Sequence, residues 1–322
     1  MDTKNLAPLI AMPLLLLVVE IGAILLSLPV QTSGIVAFED PTDVANPIWF
    51  IAILLIFTAF LLVLIRYELK KVIGAVIGIS IFLTFVYIFA AVVYAVMDVT
   101  AVATQGLWDS VLPAFMVSTI TAETLAATGI VLLLAVLATA VLYRYPEWYV
   151  IDGLGILIGA GVAAIFGVSL DVLPVVILLA LLAVYDAISV YKTKHMITLA
   201  EGVIDQKTPI LFVIPKRKDY SFIKEGIGKL DDGGERAAFI IGMGDMIMPA
   251  ILVVSANVFI QGWKLAGLIN LPALGAIIGS LVGLAVLMHF VMSGKPQAGL
   301  PPLCGGTIIG FLIGWAAMGM MV

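Results

Sequence analysis

The chain has 322 residues, of which 63% are hydrophobic and 11% charged, and its mean hydropathy is +1.21. Soluble domains are roughly 45–50% apolar and 25% charged, so this composition specifies an integral membrane protein. The formal net charge of -5 leaves no basic surplus to neutralise phosphates, which sets nucleic acid aside as a partner.

A spanning helix needs about 20 largely apolar residues, and nine stretches qualify. The first, about 6–30, is too long for a signal-peptide core and has no small-residue cleavage site, so it reads as an anchor. Pro8 and Pro13 predict a kink in it, and Glu20 a side chain turned into the bundle. An acidic loop over 31–47 leads to the second span, about 48–65, which stops at Arg66-Tyr67-Glu68-Leu69-Lys70-Lys71. The third runs over about 72–97, and the less apolar stretch 98–125 reads as a partly structured loop. Spans four and five, about 126–143 and 149–169, are joined by Arg144-Tyr145-Pro146-Glu147-Trp148, whose aromatic residues suit a membrane interface. The sixth, about 172–191, contains Asp186. A hydrophilic stretch, 192–235, follows. Within it Ile210-Leu211-Phe212-Val213-Ile214, between Pro209 and Pro215, is β-prone and too short to span. The last three spans are about 237–260, which contains Asp245, then 271–292 and 303–322.

The chain thus reads as one membrane domain over 1–322: spans one to six in 1–191, a loop in 192–235, and spans seven to nine in 236–322. The fold class is an all-α polytopic membrane protein of about nine transmembrane helices. On this count every basic residue except Lys264 falls on one side of the bilayer. Lys and Arg collect on the cytoplasmic side, which places the N-terminus and the long loop in the cytoplasm and the C-terminus outside.

The residues left for chemistry are few. The single cysteine, Cys304, forms no internal disulfide. His195 and His289 are the only histidines and no HExxH occurs, so the ligand set of a metalloprotease is missing. Gly78-Ile79-Ser80 has no glycine two residues after the serine and is not a hydrolase elbow. No cofactor and no metal is expected. Two carboxylates remain, Asp186 and Asp245, and an ionisable group at bilayer depth costs roughly 3 kcal/mol or more. Counting about 1.5 Å per residue, Asp186 lies about 9 Å and Asp245 about 12 Å from the same cytoplasmic face, on spans that run in opposite directions. Carboxylates brought close at matched depth share one proton and titrate as a unit, one acting as base on a water and the other as acid to a carbonyl oxygen. Gly242 and Gly244 remove side chains beside Asp245 and leave room for another backbone. The stripes Gly275-Gly279-Gly283 and Gly306-Gly310-Gly314 have small-xxx-small spacing and read as helix packing.

Tyr185-Asp186 and Gly242-Met243-Gly244-Asp245, on consecutive spans around a long cytoplasmic loop, resemble the YD and GxGD motifs of the presenilin and signal-peptide-peptidase intramembrane aspartyl proteases. The nine spans and the orientation are similar to presenilin, most of all to a microbial or archaeal homologue, and the likeness continues over 196–202. The resemblance implies a protease that hydrolyses peptide bonds within transmembrane segments, with Asp186 and Asp245 catalytic and Tyr185, Gly242, Met243 and Gly244 shaping the site. It also implies a third motif, Pro-Ala-Leu, before the last span. That stretch here is Gln297-Ala298-Gly299-Leu300-Pro301-Pro302-Leu303, so the role passes to Ala298, Gly299, Leu300 and Pro301. A literal Pro272-Ala273-Leu274 opens span eight, the wrong span for this role. Consecutive prolines leave backbone groups unpaired and able to line a polar cavity.

The partners implied are transmembrane helical substrates and the lipid bilayer of the cell membrane, with self-association into a homo-oligomer left open. A substrate helix hides its peptide groups and must unwind before it is cut. Residues 210–214 are expected to offer the unwound segment a strand edge, and a proline at Val213 to impair cleavage. The alternative from another class is a proton- or cation-coupled transporter or channel, since intramembrane acids also serve ion pathways. The lack of an internal repeat weighs against it.

Overall fold

The computed structural model describes residues 6–101, 122–193, 211–216, 220–226, 238–291 and 297–319. The expectations for most of the loop over 98–125, for 196–202 and for much of the long hydrophilic stretch fall outside these residues. Six helices come first: α1 (Leu6–Ser33), α2 (Asn46–Arg66), α3 (Lys70–Ala101), α4 (Ala122–Arg144), α5 (Trp148–Ser169) and α6 (Val172–Ile188), which continues as a π-helical turn, Ser189–Thr193. Strand β1 (Leu211–Pro215), a short helix α7 (Phe222–Glu225), strand β2 (Ala238–Gly242) and helix α8 (Met243–Phe259) follow. A small hairpin of β3 (Lys264–Leu265) and β4 (Ile269–Asn270) leads to α9 (Leu271–Val291) and α10 (Leu300–Gly319).

Among the described residues, eight helices are long and apolar enough to cross a membrane; α8, at 17 residues, is shorter. The chain is a mostly helical, multi-pass membrane protein. Its outward faces carry exposed side chains such as Ile53, Ile56, Leu133 and Ile309, which in water would form an untenable apolar surface and in lipid are at home. Helix ends fall where the sequence supplies punctuation. Pro47 occupies the first turn of α2, where a missing N–H costs nothing, and the Asp171 side chain caps α6 by accepting the Val172 N–H at 2.6 Å. At that same end Asn270 caps α9, accepting the Ala273 N–H at 2.9 Å, while its amide donates to the Ala256 and Ile260 carbonyls at 2.7 and 2.9 Å. In the loop between α1 and α2, the Thr42 hydroxyl and amide both donate to Asp40 and hold its carboxyl below the usual carboxylate range.

Helix α8 is the centre of the bundle. An unbroken run of its residues from Pro249 to Asn257 is buried, because α1, α5, α6, α9 and α10 all contact it. A helix apolar all round belongs in such a position. Glu20 faces the bundle as expected and is fully buried. Helices α9 and α10 meet through their glycine stripes: a Cβ at Gly275 would strike the Gly310 carbonyl oxygen, and one at Gly279 that of Gly306. The stripes are therefore a close-approach seam between two backbones.

Two differences from the sequence expectations bear on function. The helical class stands, and the described residues add two two-stranded sheets, of which the strand from the β-prone run was expected and its partner was not. The apolar run expected as one helix over 237–260 is divided: 238–242 is strand, and the helix begins at Met243. The cause is pairing. β1 runs antiparallel to β2 with Leu211 opposite Gly242 and Pro215 opposite Ala238, so alternate residues of 238–242 find backbone partners across the sheet instead of along a helix. Asp245 consequently stands in the first turn of α8, not eight residues into a helix.

Candidate active site

Asp186 projects from the last turn of α6 and Asp245 from the first turn of α8, two helices in contact. Asp186 is buried at 8% exposure, Asp245 is half-buried, and the carboxyls lie close enough to act on one another electrostatically. Tyr185 is half-buried beside Asp186 on α6.

The start of α10 completes the arrangement. The first N–H groups of a helix have no partner within it; Pro301 and Pro302 lack the group altogether, and the Leu300 N–H donates to Asp186 Oδ2 at 3.0 Å. A carboxylate suits this helix end because the dipole is positive there. The preceding residue meets the other acid: a Cβ built on Gly299 would lie 2.9 Å from Asp245 Oδ2 and 3.1 Å from its Cγ. Two consecutive residues thus approach both carboxylates, and a side chain at the first would have to displace the Asp245 carboxyl. Ala298 is buried, and its N–H reaches the Tyr191 hydroxyl at 3.4 Å. That hydroxyl donates to Gln297 Oε1 at 2.8 Å, so the π-helical turn after α6 ties down the segment that leads into α10. Pro301, in the first turn of α10, is half-buried.

On the β2 side, Gly242 is the N-cap of α8 without a side-chain cap bond, and a Cβ there would come to 3.5 Å from Asp245 Oδ2, an ordinary contact. A Cβ at Gly244 would meet nothing within 4 Å. Met243 is buried and turned to α5, with its Cε close to Gly155. Pro272-Ala273-Leu274 begins α9 at the opposite end of the bundle, where Gly314, far along α10 from Leu300, packs on Leu271 and Pro272.

A cavity of about 450 Å³ opens beside Asp245, bordered by Gly242, Gly299, Ile240, Lys216, Leu287 and other residues of α1 and α9. The Lys216 ammonium sits 4.9 Å from the centre of the Phe239 ring, within cation–π range. Sequence reasoning missed Tyr191, Gln297, Lys216 and the strand 238–242 as parts of this site. None interrupts the apolar pattern as Asp186 does, and each joins through contacts between segments remote in sequence. The outer edge of β1 is also not open as expected: the Val213 N–H donates at 2.8 Å to Asp152 Oδ1 of α5.

The family described as "Signal-peptide peptidase, presenilin aspartyl protease" matches residues 13–117 and 110–320 of the chain. Two solved structures of a presenilin family intramembrane aspartate protease, in space groups C222 and P2, are each 48% identical to it. The first covers 96% of this chain and 99% of its own, with a TM-score of 0.64; the second covers 96% and 98%, with 0.63. No curated protein matches.

Proposed function

The chain belongs to the signal-peptide peptidase and presenilin aspartyl protease family, and from that premise we propose that it is an intramembrane aspartate protease whose catalytic pair is Asp186 and Asp245. The observation that carries the assignment is the approach of both carboxyls to the backbone of Gly299 and Leu300 at one end of the bundle. In the proposed reaction the two carboxyls hold one proton between them. The ionised member takes a proton from a water, whose oxygen bonds to the scissile carbonyl carbon, while the protonated member gives its proton to the carbonyl oxygen. The tetrahedral species collapses with breakage of the C–N bond. The leaving nitrogen takes up a proton, the new acid carries the water oxygen, and the pair returns to one shared proton. The Leu300 N–H, bound to one oxygen of Asp186, holds that carboxyl in a fixed orientation through the cycle.

The substrate class is a membrane-spanning helix, unwound next to the acids. Unwound peptide groups in an apolar setting need partners, and β2 supplies them. Because the Val213 N–H turns outward to Asp152, the Val213–Ile240 pair is of the non-hydrogen-bonded kind, in which both residues point their N–H and C=O away from the sheet partner. Ile240 therefore presents its N–H and C=O on the outer edge of β2, which borders the cavity beside Asp245. The substrate adds to β2. With the basic residues in the cytoplasm, this end of the bundle faces the cytoplasmic side of the cell membrane.

The experiment is incubation of purified protein with a single-span transmembrane peptide and mass spectrometry of the products. Wild type yields two fragments split within the span; Asp186→Ala and Asp245→Ala yield none. Fragments from either variant at the wild-type rate would overturn the assignment.

A further inference from the structure

Between the two aspartate helices lies an arm that includes β1 and α7, and the sequence ties it covalently to α6 and α8 alone. Besides the β1–β2 ladder, three of its hydrogen bonds go to neither helix. The start of α5, a helix outside the proposed catalytic pair, brings two carboxylates to it. Glu147, just before α5, accepts the Ser221 hydroxyl on Oε1 at 2.7 Å and the Phe222 N–H on Oε2 at 3.0 Å. Asp152 accepts the Val213 N–H at 2.8 Å and is itself buried at 8% exposure. Three residues further on, Gly155 makes room for the arm: a Cβ there would come within 2.8 Å of Met243 Cε and 3.0 Å of Phe212 Cε1. Ile151, Val213, Tyr220, Phe222 and Ala238 are buried in one apolar cluster around these bonds. The described part of the arm is thus fastened at both ends to a helix outside the catalytic pair.

That fastening has a mechanical consequence. β2 is held by β1 and passes without a linker into α8, where Asp245 is the third residue. A strand pair alone is marginal in stability, so β2 keeps its place only if β1 does. A short carboxylate bonded to a main-chain N–H at the outer edge of β1 fixes that strand along its own direction. It also fills the edge that would otherwise compete with β2 for an extended peptide. A purely structural account, in which Glu147 and Asp152 only favour the N-terminus of α5 through its dipole, leaves unexplained why their oxygens meet donors of the arm.

We propose that Glu147 and Asp152 are positioning residues for proteolysis: they hold the β1–β2 platform at a fixed register against Asp245, so that the substrate strand on β2 presents one particular bond to the acids. The proposal rests on the protease assignment above and concerns where the platform stands, not the chemistry of the aspartates.

The test uses the full-length protein in bilayers and a single-span peptide, with kcat, KM and the positions of cleavage read by mass spectrometry. Asp152→Asn retains an oxygen acceptor for the Val213 N–H and keeps both constants within about threefold and the cleavage position unchanged. Asp152→Leu removes the acceptor. It lowers kcat/KM by tenfold or more, since misplacement of order 1 Å at a site costs up to about 10²-fold, and its remaining products spread over neighbouring bonds. Glu147→Ala, at the half-buried edge of the cluster, gives the same spread with a smaller loss and decides the matter if Asp152→Leu does not fold. A folded Asp152→Leu or Glu147→Ala with wild-type constants and a single wild-type cleavage position overturns the proposal, as does Asp152→Asn behaving like the leucine variant. A wild type that cleaves nothing refutes the protease assignment instead, so the two failures are distinct.

Discussion

Replacing Gly299 with alanine tests the contact between the start of α10 and the acid pair. The added methyl would stand 2.9 Å from Asp245 Oδ2, 3.1 Å from Cγ and 3.3 Å from Oδ1, whereas ordinary van der Waals contact begins near 3.4 Å. The carboxylate or the α10 segment must therefore give way by about 0.5 Å, and misplacement of that order in a catalytic group costs roughly tenfold in rate, or ~1.4 kcal/mol of transition-state stabilisation. Leu300 is bonded to Asp186 and holds the α10 segment, so it is the Asp245 carboxyl that turns out of place, into the space beside Gly242 and the cavity. The assay is steady-state cleavage of a transmembrane peptide, with thermal unfolding in detergent to show that the fold survives. Gly305→Ala, nearly two turns along α10 from Gly299 at a place where a Cβ meets nothing within 4 Å, is the control and retains wild-type kcat. If Gly299→Ala also keeps kcat within twofold of wild type, the geometry claimed for this contact is wrong.

Three further outcomes follow from packing and pairing. Ile240→Pro removes an N–H from the outer edge of β2 while sparing the β1–β2 ladder bonds, so it raises KM for a transmembrane substrate about tenfold or more with little change in melting temperature; an unchanged KM would remove β2 as the docking edge. Gly279→Val drives a side chain into the Gly306 carbonyl across the α9–α10 seam and destabilises the protein by about 1–3 kcal/mol or more, seen as a lower unfolding midpoint together with lost activity, because α10 carries Gly299 and Leu300. Asn270→Ala strips the cap of α9 and takes the side-chain donor from the Ile260 carbonyl and one of two donors from the Ala256 carbonyl, which keeps the Ile260 N–H, costing about 1–3 kcal/mol, with kcat of the remaining folded protein unchanged, since these bonds lie at the opposite end from Asp186.

The aspartates were legible because each interrupts an apolar run, and a charge there has few roles other than function. The short strand at 211–215 was legible for a related reason: β-branched and aromatic residues between two prolines cannot make a spanning helix. The division of 238–259 was not. Ala238-Phe239-Ile240-Ile241 is uniformly apolar and reads as strand or helix alike; only its partner, β1, decides, and the two strands are joined across a long loop. The same holds for Tyr191 and Glu147, whose roles depend on partners 74 or more residues away. Asp152 did carry a signal, being an acid inside an apolar helix like Asp186, and the same cost reasoning applied to it would have marked it.

The most direct measurement of the central claim follows the oxygen of water. A single-span peptide is cleaved in bilayers prepared in ¹⁸O-labelled water by the wild type, by Asp186→Asn and by Asp245→Asn. The two-aspartate mechanism predicts one ¹⁸O in the new carboxyl terminus of the wild-type product, formed within the span, and no product from either asparagine variant, since each leaves a single carboxyl that cannot act as acid and base together. Labelled product at the wild-type rate from either variant would contradict it.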